Sequence, residues 1–462
     1  MLHLGSRTIF QRRESVLRGL VALALGVAGG ACFLPGQAAA VPSFAAQTGQ
    51  PCAACHVGAF GPQLKQFGRD FKLYGYTSTD NQPRAQWIPP VTMITQNAFT
   101  HTNGNFPGDV THVGPNDNFT LDEVDILYAG RILPHLGAYV EVTYDGVGGG
   151  AGWNNSDIRF AREGSLFGED IVWGITANNS PTVSDVWNST PTWGFPFAHS
   201  NAVTGPAAST LIDGGVQWQV AGAGAYMMWN DLIYVEIDGY KGLGRDVRRA
   251  VGADRTNSMD GVSPYWRLAV QQTFDDDRHY VQVGTYGIRG EIFPGGDTST
   301  GTDKFTDIAF DANYQWIPEP KKVTSDVLSA HATYIREDQN LEASSILAGT
   351  NRHDVLETFR VDATYSIDAT FSPMVQYFQT RGSNDNQQWY GGNGVSGSPN
   401  TTGFVFELDY TPWGKPDSPV NWANARIGVQ YTAYTDFNGS SAHASDHNVF
   451  LINLWTALAF NR

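Results

Sequence analysis

From about residue 88 onward, the chain repeats a two-residue rhythm of apolar and polar side chains. Clusters of Gly, Asn, Asp, Pro or Ser interrupt it about every ten to fifteen residues. Ala138, Val140, Val142 and Tyr144 fall on one side of an extended backbone, with Tyr139, Glu141, Thr143 and Asp145 on the other. The same division separates Ile308, Phe310, Ala312 and Tyr314 from Ala309, Asp311, Asn313 and Gln315. It recurs between Phe404, Phe406 and Leu408 on one side and Val405, Glu407 and Asp409 on the other. Period two identifies strands, each with one apolar face that must be covered. A second sheet or lipid can cover it. Lipid is favoured, because a sandwich domain closes within about 100 residues and this rhythm runs far longer.

Composition points the same way. Charged residues make up only 16% of the chain, against about a quarter in soluble domains, while aromatics reach 12% and glycines number 51. No run of apolar residues after the N-terminus is long enough for a transmembrane helix. The strands read as 91–100, 119–130, 135–145, 155–162, 169–178, 211–221, 223–237, 263–274, 279–290, 304–317, 324–338, 355–367, 371–381, 402–411, 423–436 and 447–460. The expected fold is therefore an all-β transmembrane barrel of about 16 antiparallel strands over residues 86–462, in a bacterial outer membrane. Tight links such as Gly222 would alternate with long loops such as 180–210, 239–261 and 382–401 on the outer side. Phe460, near the end of the last strand, resembles the terminal aromatic by which such barrels are recognised for insertion. With 45 acidic against 29 basic side chains and a net charge of -16, a nucleic-acid partner is disfavoured and cations are attracted.

Residues 1–40 have the layout of an export signal. Arg7, Arg12, Arg13 and Arg18 precede an apolar run from Gly19 to Leu34, and Ala38-Ala39-Ala40 offers a small-residue cleavage site. Cys32 would be removed with it.

Residues 41–85 hold the one strong chemical motif, Cys52-Ala53-Ala54-Cys55-His56. Two thiols at this spacing, followed at once by a histidine, form the attachment sequence of a c-type haem. Cys52 and Cys55 would add to the two vinyl groups and His56 would ligate the iron from the proximal side. A zinc site would need a second ligand pair, and a thioredoxin-like pair would need a strand–helix context; neither is present. The expected cofactor is one covalent haem c. Leu64, Phe67, Phe71 and Tyr74 predict a short amphipathic helix starting near Pro62 and stopped by Gly75, its apolar stripe covering haem or barrel wall. A segment this short gains little from its own core, so it is expected to plug the barrel lumen as a small cytochrome segment. Met93, His101 and His112 are the nearest downstream candidates for the distal ligand, and the residues do not choose among them.

The N-terminal region resembles the fused monohaem cytochrome–porins of the bacterial outer membrane, a family that includes iron oxidases. The resemblance rests on Pro42-Ser43-Phe44-Ala45-Ala46-Gln47-Thr48-Gly49 leading into the Cys-Ala-Ala-Cys-His motif. Phe67-Gly68-Arg69 and Lys72-Leu73-Tyr74-Gly75-Tyr76-Thr77 extend it, followed by a barrel of matching length. It implies electron transfer through a single haem: extracellular Fe(II), or another donor, would be oxidised and the electron passed to a periplasmic cytochrome or other carrier. Such a protein would be an Fe(II):cytochrome c oxidoreductase. Hydrocarbon about 30 Å thick separates the two sides, and a haem inside a barrel shortens that gap. Rival readings are a conduit fed by a multihaem partner, a substrate porin with a structural haem, and a peroxidase-like haem enzyme. Carboxylates such as Asp117, Asp122, Glu123 and Asp125, or Asp275, Asp276 and Asp277, suit ferrous iron chemically, although loop acids are ordinarily just solvated.

Overall fold

The computed structural model describes residues 42–80, 90–104, 113–253, 258–389, 397–420 and 422–459. The expected signal 1–40 and the candidate ligand His112 lie outside the described residues.

Alternation in the sequence becomes one closed antiparallel sheet. The strand Val91–Thr102 pairs with both Asn118–Leu133 and the last strand, Val449–Ala459, which closes the barrel. Among the described residues seventeen strands make up the sheet. The short strand Ser258–Asp260 pairs with the same neighbour, His279–Phe293, as Ser263–Phe274 does, so the two form a single stave and the barrel has sixteen. Three strands, Glu169–Asn178, Ser263–Phe274 and Ala423–Asp436, begin and end where the sequence places them.

The expected strands 211–221 and 223–237 are corrected. Residues 211–219 form no strand; the staves are Val220–Trp229 and Ile233–Gly242, and Gly222 lies inside the first rather than in a link. The true link is at Asn230 and Asp231, both with positive φ (51° and 48°), closed by a bond from Leu232 N–H to the Trp229 carbonyl. Two successive left-handed residues form the turn whose twist matches a hairpin, and Asn and Asp tolerate that conformation best after glycine.

The faces are sorted as in a membrane barrel. Phe310, Phe406, Val283 and Leu408 point outward and are exposed, Phe310 by 55%. The largest fully buried side chains include Arg159, Arg267 and Arg426, all inside. Polar interior, apolar exterior and closure without a free edge form the one sheet arrangement that satisfies every backbone group in hydrocarbon. The barrel spans the bacterial outer membrane, with short turns at one end and long loops at the other. Among the described residues no helix is long and apolar enough to cross a membrane.

The loop between Glu169–Asn178 and Val220–Trp229 does not simply project outside. Val183, Asp185, Val186 and Trp187 are buried within the lumen. Arg267 anchors this inward segment, lying 3.3 Å from Asp185 and 2.8 Å from Asp311. Leu211, Ile212, Val216 and Val220 pack on Tyr240, Tyr265 and Ile288 of the wall, which is why 211–219 carries a strand-like apolar pattern.

Candidate functional site

Residues 42–80 occupy the lumen at the short-turn end. Three helices, Pro42–Thr48, Cys52–Cys55 and Gln66–Leu73, fold around the Cys-Ala-Ala-Cys-His motif. The expected stop near Gly75 is present: Gly75 N–H bonds the Lys72 carbonyl and Tyr76 N–H the Phe71 carbonyl, with φ at Gly75 of 69°. The helix begins at Gln66 rather than near Pro62, and its buried face is not the expected apolar stripe. Phe67 is exposed, while Arg69 and Lys72 are buried beside Phe71 and Leu73. The cause is the surroundings, since a lumen wall offers polar partners to a helix that a conventional core would not.

Those partners tie the segment to the wall on several sides. Arg69 Nη1 donates to Gln315 Oε1 at 2.8 Å, and its guanidinium lies over the Tyr280 ring. Lys72 Nζ donates to the Val183 carbonyl and Asn188 Oδ1, both at 2.7 Å, so the inward loop and the helix hold each other. Tyr76 Oη donates to Asp157 Oδ2 at 2.7 Å, and Gln63 Nε2 to Thr364 Oγ1 at 3.1 Å. Gln47 bridges the Tyr76 carbonyl and Arg131 N–H.

Within this frame Cys52 is buried against the wall. Ala53 N–H donates to the Gly414 carbonyl at 3.0 Å, while Asn424 Nδ2 reaches Cys52 Sγ at 3.2 Å. A short antiparallel bridge pairs His56 with Leu64, and Lys65 N–H donates to the Cys55 carbonyl at 2.8 Å. Gly68 lets the third helix lie on the second: a Cβ there would sit 2.6 Å from the Cys55 carbonyl oxygen. Burial pushes the Cys55 thiol up to about 12 against the pull of Lys65, and raises the Cys52 thiol well above its ordinary value. Burial pushes His56 down to about 4, opposed by bonds with the backbone at Gly61 and Gln63. The imidazole is therefore neutral at pH 7, and its Nδ1 has no hydrogen-bond partner among the described residues. A neutral imidazole is the form that ligates metals.

Cys52, Cys55 and His56 border a cavity of about 1250 Å³. Near the motif its walls are Phe44, Phe60, Leu64, Phe71, Ile94 and Trp455. It continues toward the long-loop end past Glu123, Asp125, Glu141 and Asp145 to Trp218. Glu123 and Asp145 are direct cross-strand partners, a like-charge pairing that costs stability in a sheet. The acidic stretches read from sequence are thus divided. Glu123 and Asp125 face the cavity, whereas Asp117 pairs with His101 outside and Asp275, Asp276 and Asp277 form a positive-φ turn at the opposite end. Glu141 and Asp145 were missed, although their strand parity matches that of the inward-facing set.

The two described distal-ligand candidates, Met93 and His101, are not brought to the motif. On Val91–Thr102 the inward face is the even-numbered set, with Thr92 bonded to Ser43 and Ile94 packed on Phe60. Met93 and His101 have the opposite parity and point outward. Among the described residues no group of three or more His, Cys, Asp and Glu side chains converges as a metal site.

No protein-family profile and no curated protein matches the chain. Solved structures resemble it in the barrel. An OmpT of Vibrio cholerae matches at 12% identity over 80% of this chain and 97% of its own, with a TM-score of 0.39. The anion-selective porin of Comamonas acidovorans matches at 10% identity over 80% and 98%, TM-score 0.42. OprB of Pseudomonas putida matches at 12% identity over 80% and 93%, TM-score 0.46.

Proposed function

We propose that residues 41–85 are a monohaem cytochrome segment and that the protein moves single electrons across the outer membrane. Cys52 and Cys55 would anchor one haem c through thioether bonds, and His56 would be its proximal ligand. The observation that carries this reading is the motif's place: two thiols and a neutral imidazole border a cavity with apolar walls, at the short-turn end of a lumen. Bound haem supplies a one-electron Fe(III)/Fe(II) couple.

The chain's own residues do the rest. Phe44, Phe60, Leu64 and Phe71 exclude water near the motif. Glu123, Asp125, Glu141 and Asp145 line the upper cavity with carboxylate oxygens, the donor type that suits ferrous iron. Extracellular Fe(II) is the donor such oxygen groups suit: each ion gives up one electron and leaves as Fe(III), and the electron passes to a periplasmic cytochrome or other carrier. The bonds from Arg69, Lys72 and Tyr76 hold the segment within reach of that carrier.

Stopped-flow visible spectroscopy tests this. Oxidised protein in detergent, mixed anaerobically with Fe(II), should develop reduced c-type haem bands, and Cys52→Ala or His56→Ala protein should not. Haem that dithionite reduces but Fe(II) leaves oxidised would point to another donor or a multihaem partner. The rival porin reading draws on the cavity's reach toward the long loops; it requires steady ion conductance in planar bilayers, which the wall-bonded segment and inward loop should block.

A further inference from the structure

We infer that Asn424, a residue of the barrel wall, positions the Cys52 sulfur and raises the reduction potential of the haem that this sulfur would carry. The inference rests on the haem reading above and adds the barrel's own part in it.

Asn424 lies on the strand Ala423–Asp436 and is fully buried. Its single amide group spans two parts of the motif. Nδ2 donates to Cys52 Sγ at 3.2 Å and to the Ala59 carbonyl at 2.8 Å, the first and last residues of the turn that presents His56. Its Oδ1 accepts from Ala425 N–H at 2.9 Å, which fixes the amide so that the NH₂ faces the motif. Gly414 completes the clamp: a Cβ there would lie 2.7 Å from Asn424 Nδ2 and 3.0 Å from Cys52 Sγ. The wall therefore approaches this sulfur from two sides through close, specific contacts. A purely structural contact to Ala59 would not need the same group to reach Cys52.

The touched sulfur is the atom that would bear the bond to the porphyrin edge. An amide N–H directed at it withdraws electron density and favours the reduced iron; hydrogen bonding near the cofactor is one of the levers by which a protein sets a haem potential. Loss of this donor should shift the reduction equilibrium about threefold toward oxidised, or about 30 mV at 59 mV per tenfold for one electron.

Asn424→Leu and Asn424→Ala both remove the donor but change volume in opposite directions. Spectroelectrochemical titration of the full-length, haem-loaded protein should show the potential lowered by this amount in both. Thr92→Val, which breaks the Thr92–Ser43 bond at the segment's first helix, should leave it unchanged. An unshifted potential in either Asn424 variant would overturn the role, as would an equal shift in Thr92→Val, which would trace the effect to loosening. Wild-type protein without covalent haem, from cells that attach haem to other c-type proteins, would instead overturn the haem reading itself.

Discussion

Replacing Gly68 by valine tests whether the third helix is seated on the motif as described. A Cβ at 68 would lie 2.6 Å from the Cys55 carbonyl oxygen and 3.0 Å from Leu64 Cδ2, whereas ordinary van der Waals contact begins at 3.4 Å. The helix must therefore back away by about 0.8 Å. The obstacle is backbone, and the same carbonyl is pinned by Lys65 N–H at 2.8 Å, so it has little freedom to yield. Valine regains only a few tenths of a kcal/mol of helix propensity over glycine, against about 1–3 kcal/mol for overpacking. The overlap wins. Hydrogen exchange of the His56, Tyr74 and Tyr76 amides, all bonded within the segment, should accelerate roughly 5- to 150-fold. Gln66→Ala on the exposed side of the same helix should leave the rates nearly unchanged. Exchange in Gly68→Val as slow as in wild type would refute the packing.

Three further outcomes follow from the lumen's charges. Arg426→Met removes the buried partner of Asp409, 3.3 Å away, beside a Glu407 whose oxygens have no hydrogen-bond partner among the described residues. It should cost about 3–5 kcal/mol in urea unfolding from lipid vesicles, and adding Asp409→Asn should recover a large part. Tyr76→Phe should cost about 1.5 kcal/mol by losing the bond to the Asp157 carboxylate. Asp70 is pushed up to about 6, mainly by burial and partly by Asp231, with Arg69 opposing. Its contribution is favourable below pH 4 and is lost as pH rises through 6. Asp70→Asn should thus be more stable than wild type by about 1–3 kcal/mol at pH 8, the gap closing toward pH 4; an equal gap at both pH values would contradict the assignment.

The barrel was legible because lipid and lumen impose opposite demands on adjacent residues. Phe404, Phe406 and Leu408 could face only outward once Glu407 and Asp409 were placed inside. Legibility failed where that contrast is weak. Leu211, Ile212 and Val216 are buried against the inside of the wall, and a periodicity registers burial without saying which side supplies it. The strand Val91–Thr102 mixes Thr, Gln, Asn and Ala on both faces, so the outward parity of Met93 and His101 had no sequence signal. Cys52, Cys55 and His56 were legible as a motif, but Asn424, Gly414 and Arg69's partner Gln315 were not. They come from strands and a link hundreds of residues away and meet the motif only when the sheet closes.

The same long-range closure explains how so small a segment holds one conformation. A chain of about 40 residues cannot bury enough apolar surface to offset its conformational entropy. Here the missing stabilisation is polar and comes from the wall. Arg69, Lys72 and Gln63 would be unsuitable inside a free-standing domain, yet each finds a bond on a different stave or on the inward loop. The wall has matching needs, since Gln315 and Asp157 are buried groups satisfied in part by the segment. Each supplies partners that the other would otherwise leave buried and unpaired, at about 1–3 kcal/mol per group. An empty barrel with this interior would have to fill with water, and a free segment with this surface would unfold. The motif is therefore fixed at the short-turn end by the chemistry of the lumen wall rather than by a core of its own.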